Sequence, residues 1–500
     1  MASREDWSAE TQSKLLQEEQ RVSVLNEIKD HLISIPQSEA SKVANSFNIP
    51  LVFDCLNNSN TEEVDLACEV LSLFMNNLSI GESTNKYDVP LERALHHPYP
   101  GVKIMALNEI HRNVSKEEGL INVCRRISLL SSVIQCVGDS ELAVAQEAAK
   151  IVSDVGISDL GLKVLVSGDI VKEIQEIMCI NELTRLRVYE IVVNISKESE
   201  ANLELLKSTG IVSQILEELN NNDVLLKMNI VELLTQLGLN IHGYNYLEQN
   251  GVLSKLFALI EDDEDQITVK FCEPGILKFF GNMAHWKPTE LLLKYPKIFD
   301  RLFANIESSD LTIVGITLDT LGIIGVTTEG KCALKSTGNK ITYALKTIMK
   351  LLSSFPTEIK LRALKCIENL LSASGTQPIV SQITMKWFSL LTDQPMEVIV
   401  KYAKNPFTEI KLAGLGIIQI MASQQWGQEE IKNSPGLIEY LLDRNIEVIK
   451  ECKEVKYEII KLLSSSTIFD EFTLKRLQKY VKEGPFHVEA ITEVAFESNE

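Results

Sequence analysis

A charge-free apolar run of about 18 residues, the least that crosses a bilayer as a helix, occurs nowhere in these 500 residues. The opening Met1-Ala2-Ser3-Arg4-Glu5-Asp6-Trp7 likewise has no apolar signal-peptide core. Together these absences predict a cytosolic protein with no membrane partner, free to pass into the nucleus. Positive charge is also in deficit, with 49 Lys and Arg against 69 Asp and Glu, a formal net charge of -20. Binding a phosphate backbone needs a cationic footprint, so nucleic acid is excluded as the main ligand. Aromatics make up only 6% and do not interleave with a basic stripe. The short basic runs at 346–350 and 475–482 are diluted by apolar residues and read as solvated helix faces. Excess acid of this kind either keeps a long apolar-rich chain soluble or steers it toward a basic protein partner.

Catalytic signatures are missing as well. The seven histidines form no His-Glu-x-x-His pair and stand at no ligand spacing from a cysteine. His96-His97 precede Pro98 and read as turn residues. No Gly-x-Ser-x-Gly elbow and no phosphate-gripping glycine loop is present. The acidic run at 261–265 lacks the alternation and central glycine of a calcium loop. Neither an enzyme nor a metal or cofactor site is expected. Nine cysteines, an odd number set singly in apolar text, predict free thiols in a reducing compartment. Asn77, Asn113 and Asn194 match a glycosylation pattern by chance, since nothing here directs export.

What the chain does contain is a helical phrase that returns every 38 to 51 residues, beginning at Val64, Val102, Val144, Leu186, Leu226, Val269, Ile313, Ile359, Ile410 and Val455. This is the length of a two- or three-helix HEAT or armadillo unit. Each copy carries more apolar surface than it can bury alone, so neighbours must stack. The fold class is therefore all-α, a HEAT/armadillo-like superhelical solenoid of about ten repeats. No linker rich in Pro, Gly or Ser separates domains; the stretches 81–88, 261–266 and 372–378 read as inter-helix loops. One continuous domain over 1–500 is expected, with frayed ends near 1–10 and 492–500. Ser167-Gly168, Thr209-Gly210 and Asn250-Gly251 each precede an apolar run, and Thr337-Gly338 and Pro435-Gly436 repeat the theme. Glycine there is expected to end one helix and turn the chain into the next.

One phrase departs from the pattern. In residues 271–284 (FCEPGILKFFGNMA), Pro274 must start, bend or end a helix, and Phe279 and Phe280 point to different sides. Phe280 is read either as a surface anchor or as half of a two-sided core pair. Asn282, one turn after Lys278, offers an amide to a partner backbone. Trp286 and Trp426 stand just past repeat helices, where each either caps a groove or seals an inter-repeat loop. Phe279, Phe280, Asn282 and Trp286 are the candidate protein-binding residues.

This phrase, with residues 314–325 (VGITLDTLGIIG), 387–391 (WFSLL), Gln425-Trp426-Gly427, Asn433-Ser434-Pro435-Gly436 and residues 480–488 (YVKEGPFHV), carries a resemblance. The ordered set resembles the family of the 26S proteasome non-ATPase regulatory subunit 5, assembly chaperones of the proteasome base with HEAT or armadillo-like repeats. The likeness is strong in the central and C-terminal thirds and diffuse before about Leu129. It implies that the chain binds the C-terminal small domain of a proteasomal AAA ATPase subunit of the 19S base, alongside companion assembly chaperones, and leaves before the particle is complete. It implies a monomer on its own, gripping the ATPase with a concave face, without nucleotide or metal. Two other classes fit the periodicity: a general armadillo/HEAT protein-binding scaffold and a nuclear-transport adaptor. An adaptor would place Trp and Asn in regular ladders. Here Asn194, Asn229, Asn282 and Asn369 fall irregularly, and Trp7, Trp286, Trp387 and Trp426 form no ladder.

Overall fold

The computed structural model describes residues 4–261, 266–373 and 377–487, and among them there is no strand. The chain divides into two compact units, Met1–Tyr246 and Leu247–Glu500.

The first unit is built on α1 (Arg21–Ser34), α2 (Thr61–Asn76), α3 (Pro100–Val114), α4 (Leu142–Ile157), α5 (Glu182–Ser196) and α6 (Val224–Leu237), each packed on the next. The second repeats the plan with α7 (Gln266–Met283), α8 (Leu311–Ile324), α9 (Thr357–Leu371), α10 (Thr408–Ala422) and α11 (Lys450–Ser464). Two shorter helices intervene between successive long ones, such as Glu117–Arg125 and Ile127–Cys136 between α3 and α4. Each unit is thus a HEAT/armadillo-like stack of three-helix repeats in which every third helix meets its counterpart. All ten expected phrases fall within α2 to α11. α1 is a further long helix that the periodicity did not pick out. Its buried Val24, Leu25, Ile28 and Leu32 are spread among polar residues, so its apolar stripe is narrower than those of the helices that follow.

Local chemistry sets the helix starts. Asn60, Asn181, Asp223 and Asp310 accept from the backbone N–H of Glu62, Thr184, Leu226 and Thr312, capping α2, α5, α6 and α8. Gly210 has φ +77°, a left-handed turn between the second and third helices of its repeat, and a side chain there would meet open space. The requirement at this junction is backbone conformation alone. Gly251, Gly338 and Gly436 hold positive φ at the same junction of later repeats. Gly168 is a correction to the expectation: it is the first residue of helix Gly168–Met178 and has no positive φ.

Other differences are small and physical. The stretch 81–88, expected as a loop, holds the short helix Glu82–Lys86. Residues 4–10, expected to fray, open helix Arg4–Leu15, where Trp7 donates to Glu27 at 3.2 Å and its ring lies 4.1 Å from His31. The frayed stretch expected at 492–500 lies outside the described residues, as do most of the acidic run at 261–265 and the centre of the loop at 372–378. α7 runs through Pro274; the proline removes a single N–H, and packing against α8 and helix Pro296–Ala304 holds the rest.

Candidate protein-binding surface

Phe279 and Phe280 are 0% and 1% exposed. Their rings meet edge to face at 5.6 Å, and Phe280 meets Tyr295 in the same way at 5.1 Å. Reading Phe280 as a surface anchor is corrected: α7 is covered on two sides, so both rings are core. Asn282 remains half-buried and donates Nδ2 to the Lys278 carbonyl at 2.8 Å, one turn back on its own helix. Trp286 is half-buried in the turn after α7, edge-on to His285 at 5.0 Å.

Trp426 is buried and seals. Its Nε1 donates to Gln424 Oε1 at 3.0 Å and lies 3.2 Å from Thr384 Oγ1. Thr384 also donates to Gln424, whose Nε2 donates to the Leu371 carbonyl at 2.8 Å. The network satisfies the end of α9 and ties it to helices Pro378–Leu391 and Gln425–Asn433.

Polar contacts between successive repeats recur elsewhere. Buried Lys331 donates to the carbonyls of Gly325 and, at 2.9 Å, Asn369, joining the C-terminal ends of α8 and α9. A cation there suits the helix dipoles, while burial pushes the amine down from 10.5 to about 8. Asn113, one of the chance glycosylation matches, is fully buried and accepts from the Gly81 N–H at 2.5 Å.

Carboxylates partly or fully open to solvent lie on several long helices of the first unit, most densely on α2, among basic residues such as Lys103, Lys150 and Arg185. Asp65 and Glu69 lie on α2, Glu147 and Asp154 on α4, Glu190 on α5 and Glu232 on α6. His111 of α3 reaches both α4 carboxylates, with Nδ1 2.5 Å from Glu147 and Nε2 2.9 Å from Asp154. Burial works to raise the Glu147 carboxyl; hydrogen bonds and charges from His111 and Lys150 outweigh it and hold it below the usual carboxylate range. Exposed apolar residues recur at the starts of the long helices. Leu142, Leu183 and Leu225 occupy the first or second position of α4, α5 and α6, and all are exposed, Leu225 by 68%. Ile267 and Leu311 hold the corresponding positions in α7 and α8, and Phe407, just before α10, is 70% exposed. Periodicity alone did not single out these residues, because an apolar residue at a helix start reads as core until packing leaves it uncovered.

Among the described residues no group of three His, Cys, Asp or Glu could hold a metal ion, and no single helix is long and apolar enough to cross a membrane. All nine cysteines are free thiols; six are buried, Cys68 and Cys332 are half-buried, and Cys179 is exposed. Burial pushes Cys55 and Cys136 up to about 11 and Cys68 up to about 12, away from thiolate chemistry.

Stacked three-helix repeats of this kind define an α-solenoid of the HEAT/armadillo-like class. Within that class, the chain belongs to the family described as Proteasome non-ATPase 26S subunit, which matches residues 3–500. It is 32% identical to the 26S proteasome non-ATPase regulatory subunit 5 of Bos taurus, over 95% of this chain and 96% of that protein. Its counterpart in Homo sapiens is also 32% identical, over 94% of each chain. The Drosophila melanogaster protein of that name is 26% identical over 89% of each.

Proposed function

We propose that this protein is a chaperone for assembly of the 26S proteasome regulatory particle base, holding the C-terminal domain of a proteasomal AAA ATPase subunit and leaving before the particle is complete. The observation that carries this reading is similarity to regulatory subunit 5 along nearly the whole length of both chains. A match of that extent covers the repeats that would form a binding surface. The net charge of -20 and the exposed apolar helix starts suit a protein partner with basic and apolar surface, steered by charge and held by area. Asn282 and Trp286, both partly open to solvent, are retained as contact residues in the second unit. The chain acts as one continuous repeat domain over 1–500, works as a monomer on its own, needs no cofactor, and operates in the cytoplasm with passage to the nucleus.

The test is affinity capture of the tagged full-length chain from a cytosolic extract in mild salt, followed by binding of purified C-terminal domains of the base ATPases. Recovery of base ATPases and companion chaperones without the core particle, with one ATPase domain binding directly, supports the reading. Recovery of importins or cytoskeletal proteins in their place sinks it and leaves a general scaffold or a transport adaptor.

A further inference from the structure

The second unit carries a cleft richer in cations than the chain as a whole. It has a volume of about 640 Å³ and lies between the turn at residues 442–445, α11 and helix Glu471–Glu483. Arg444, Lys453, Arg476 and Lys479 line it, against the carboxylates of Asp443 and Glu483. Four cations to two carboxylates is a local excess of positive charge in a chain of net charge -20.

Part of this charge serves the fold. Buried Lys456 donates to the carbonyls of Tyr440 at 2.7 Å and Asp443 at 2.9 Å, fixing the turn that presents Arg444. The Arg444 guanidinium lies 3.7 Å from the Tyr480 ring centroid, donates to the carbonyls of Tyr480, at 3.2 Å, and Gly484, and pairs with Glu483 at 3.2 Å. With its donors so engaged, Arg444 holds the wall of the cleft. The other three cations are loosely held. Lys453, half-buried on α11, has no ion pair among the described residues. Arg476 has only a 3.5 Å contact with exposed Glu439, and Lys479 reaches Glu483 at 3.6 Å. Phe472, one turn before Arg476 on the same helix, is 70% exposed, with the Arg476 guanidinium 5.7 Å from its ring centroid.

Three loosely engaged cations on two helices, with an exposed phenyl ring beside them, match carboxylates spaced along an acidic segment that also carries an apolar side chain. A cation kept half-buried without a partner is unfavourable, and an incoming carboxylate relieves that cost with a charge-assisted hydrogen bond. A nucleic-acid backbone fits worse. Its phosphates form an unbroken line of charge, and Asp443 and Glu483 in the cleft wall stand against it. A second copy of this chain is opposed by the repulsion of two bodies each carrying -20.

We propose that this cleft is a docking site for an acidic segment of another protein, its carboxylates held by Lys453, Arg476 and Lys479 and an apolar side chain packed on Phe472. The probe is a labelled peptide of glutamates with one central phenylalanine, titrated into the full-length chain beside the same peptide with glutamine in place of glutamate. The glutamate peptide is expected to bind saturably, about tenfold or more tighter than its glutamine counterpart, and to weaken about tenfold in about 1 M NaCl. Lys453→Gln/Arg476→Gln/Lys479→Gln, checked for an unchanged melting temperature, is expected to lower affinity about tenfold or more, each exposed pair contributing up to about fivefold. A control, Lys116→Gln/Lys163→Gln/Lys172→Gln, removes three exposed lysines of the first unit and is expected to leave affinity within about twofold. Equal losses in the two triple variants would mean diffuse attraction without a site, and no saturable binding would mean that the cleft takes no acidic segment. Displacement of the peptide by a single-stranded oligonucleotide at lower concentration would assign the cleft to a phosphate backbone, and self-association abolished by the cleft variant would assign it to a second copy. Each of these four results overturns the proposal.

Discussion

Three glycines of the first unit, none far from the others in sequence, are expected to respond to alanine with different signs and sizes. Gly161 sits at the third position of helix Asp159–Leu165, where it crosses the end of α4. A Cβ built there lies 2.0 Å from the Val155 carbonyl oxygen and 2.7 Å from Val155 Cγ1. The obstructing atom is backbone, so relief requires the two helices to part. Overpacking of this kind costs about 2–3 kcal/mol. At Gly210 nothing lies within 4 Å, and the penalty for Gly210→Ala is the left-handed φ of +77° alone, about 1 kcal/mol. At Gly168 there is neither a neighbour within 4 Å nor a positive φ, and the residue begins a helix. Gly168→Ala is expected to stabilise by about 0.5 kcal/mol through loss of unfolded-state freedom. Since a chain with two compact units need not unfold in one step, native-state hydrogen exchange at the core amides of α4 is the suitable readout. Gly161→Ala is expected to speed exchange about 30-fold or more, Gly210→Ala by about fivefold in its own repeat, and Gly168→Ala not at all. Should Gly161→Ala exchange within about threefold of wild type, the close-approach reasoning is refuted.

Lys331 ties stability to alkaline pH. Its folded-state amine is depressed to about 8 by burial while the unfolded value is 10.5, so the unfolded chain binds more protons between those values. The cost of burying the ammonium is therefore complete below about pH 8 and relieved as pH rises toward 10.5. The stability of wild type relative to Lys331→Met is expected to increase by about 2 kcal/mol from pH 7 to pH 10 in urea unfolding, and a flat difference would contradict the assignment. Gln424→Ala deprives the Leu371 carbonyl of its donor and Trp426 Nε1 of an acceptor, a loss of about 1–3 kcal/mol with a change in tryptophan fluorescence. Unchanged stability and emission would show the network to be dispensable. Cys179 is the exposed thiol among the nine, so a thiol reagent should modify one site fast in the native chain, and Cys179→Ser should abolish that phase. A fast phase that survives the substitution would place the reactive thiol elsewhere.

Sequence alone determined the class of structure. Ten apolar phrases at 38 to 51 residues became α2 to α11, because a helix with too much apolar surface has to meet its neighbour whatever the details of the loops. It also determined where some repeats turn: Gly210 and Gly251 hold the left-handed junction expected of them, since backbone conformation is a local property. A second glycine signature went unread. Gly119, Gly161, Gly243, Gly330 and Gly427 each lie where a Cβ would fall within 2.3 Å of the carbonyl oxygen six residues earlier. A search at the repeat spacing would have found it, since Gly119 and Gly161 are 42 residues apart. Which apolar residues stay outside was decided only by packing. Phe280 and Leu225 are both apolar on repeat helices, yet one is sealed by Phe279 and Tyr295 and the other is left open at a helix start. Burial of Lys331 and Lys456 was illegible for the same reason. Lys331 meets the Asn369 carbonyl of the next repeat and Lys456 meets the carbonyls of Tyr440 and Asp443 in the preceding one, and only the tertiary structure brings them together.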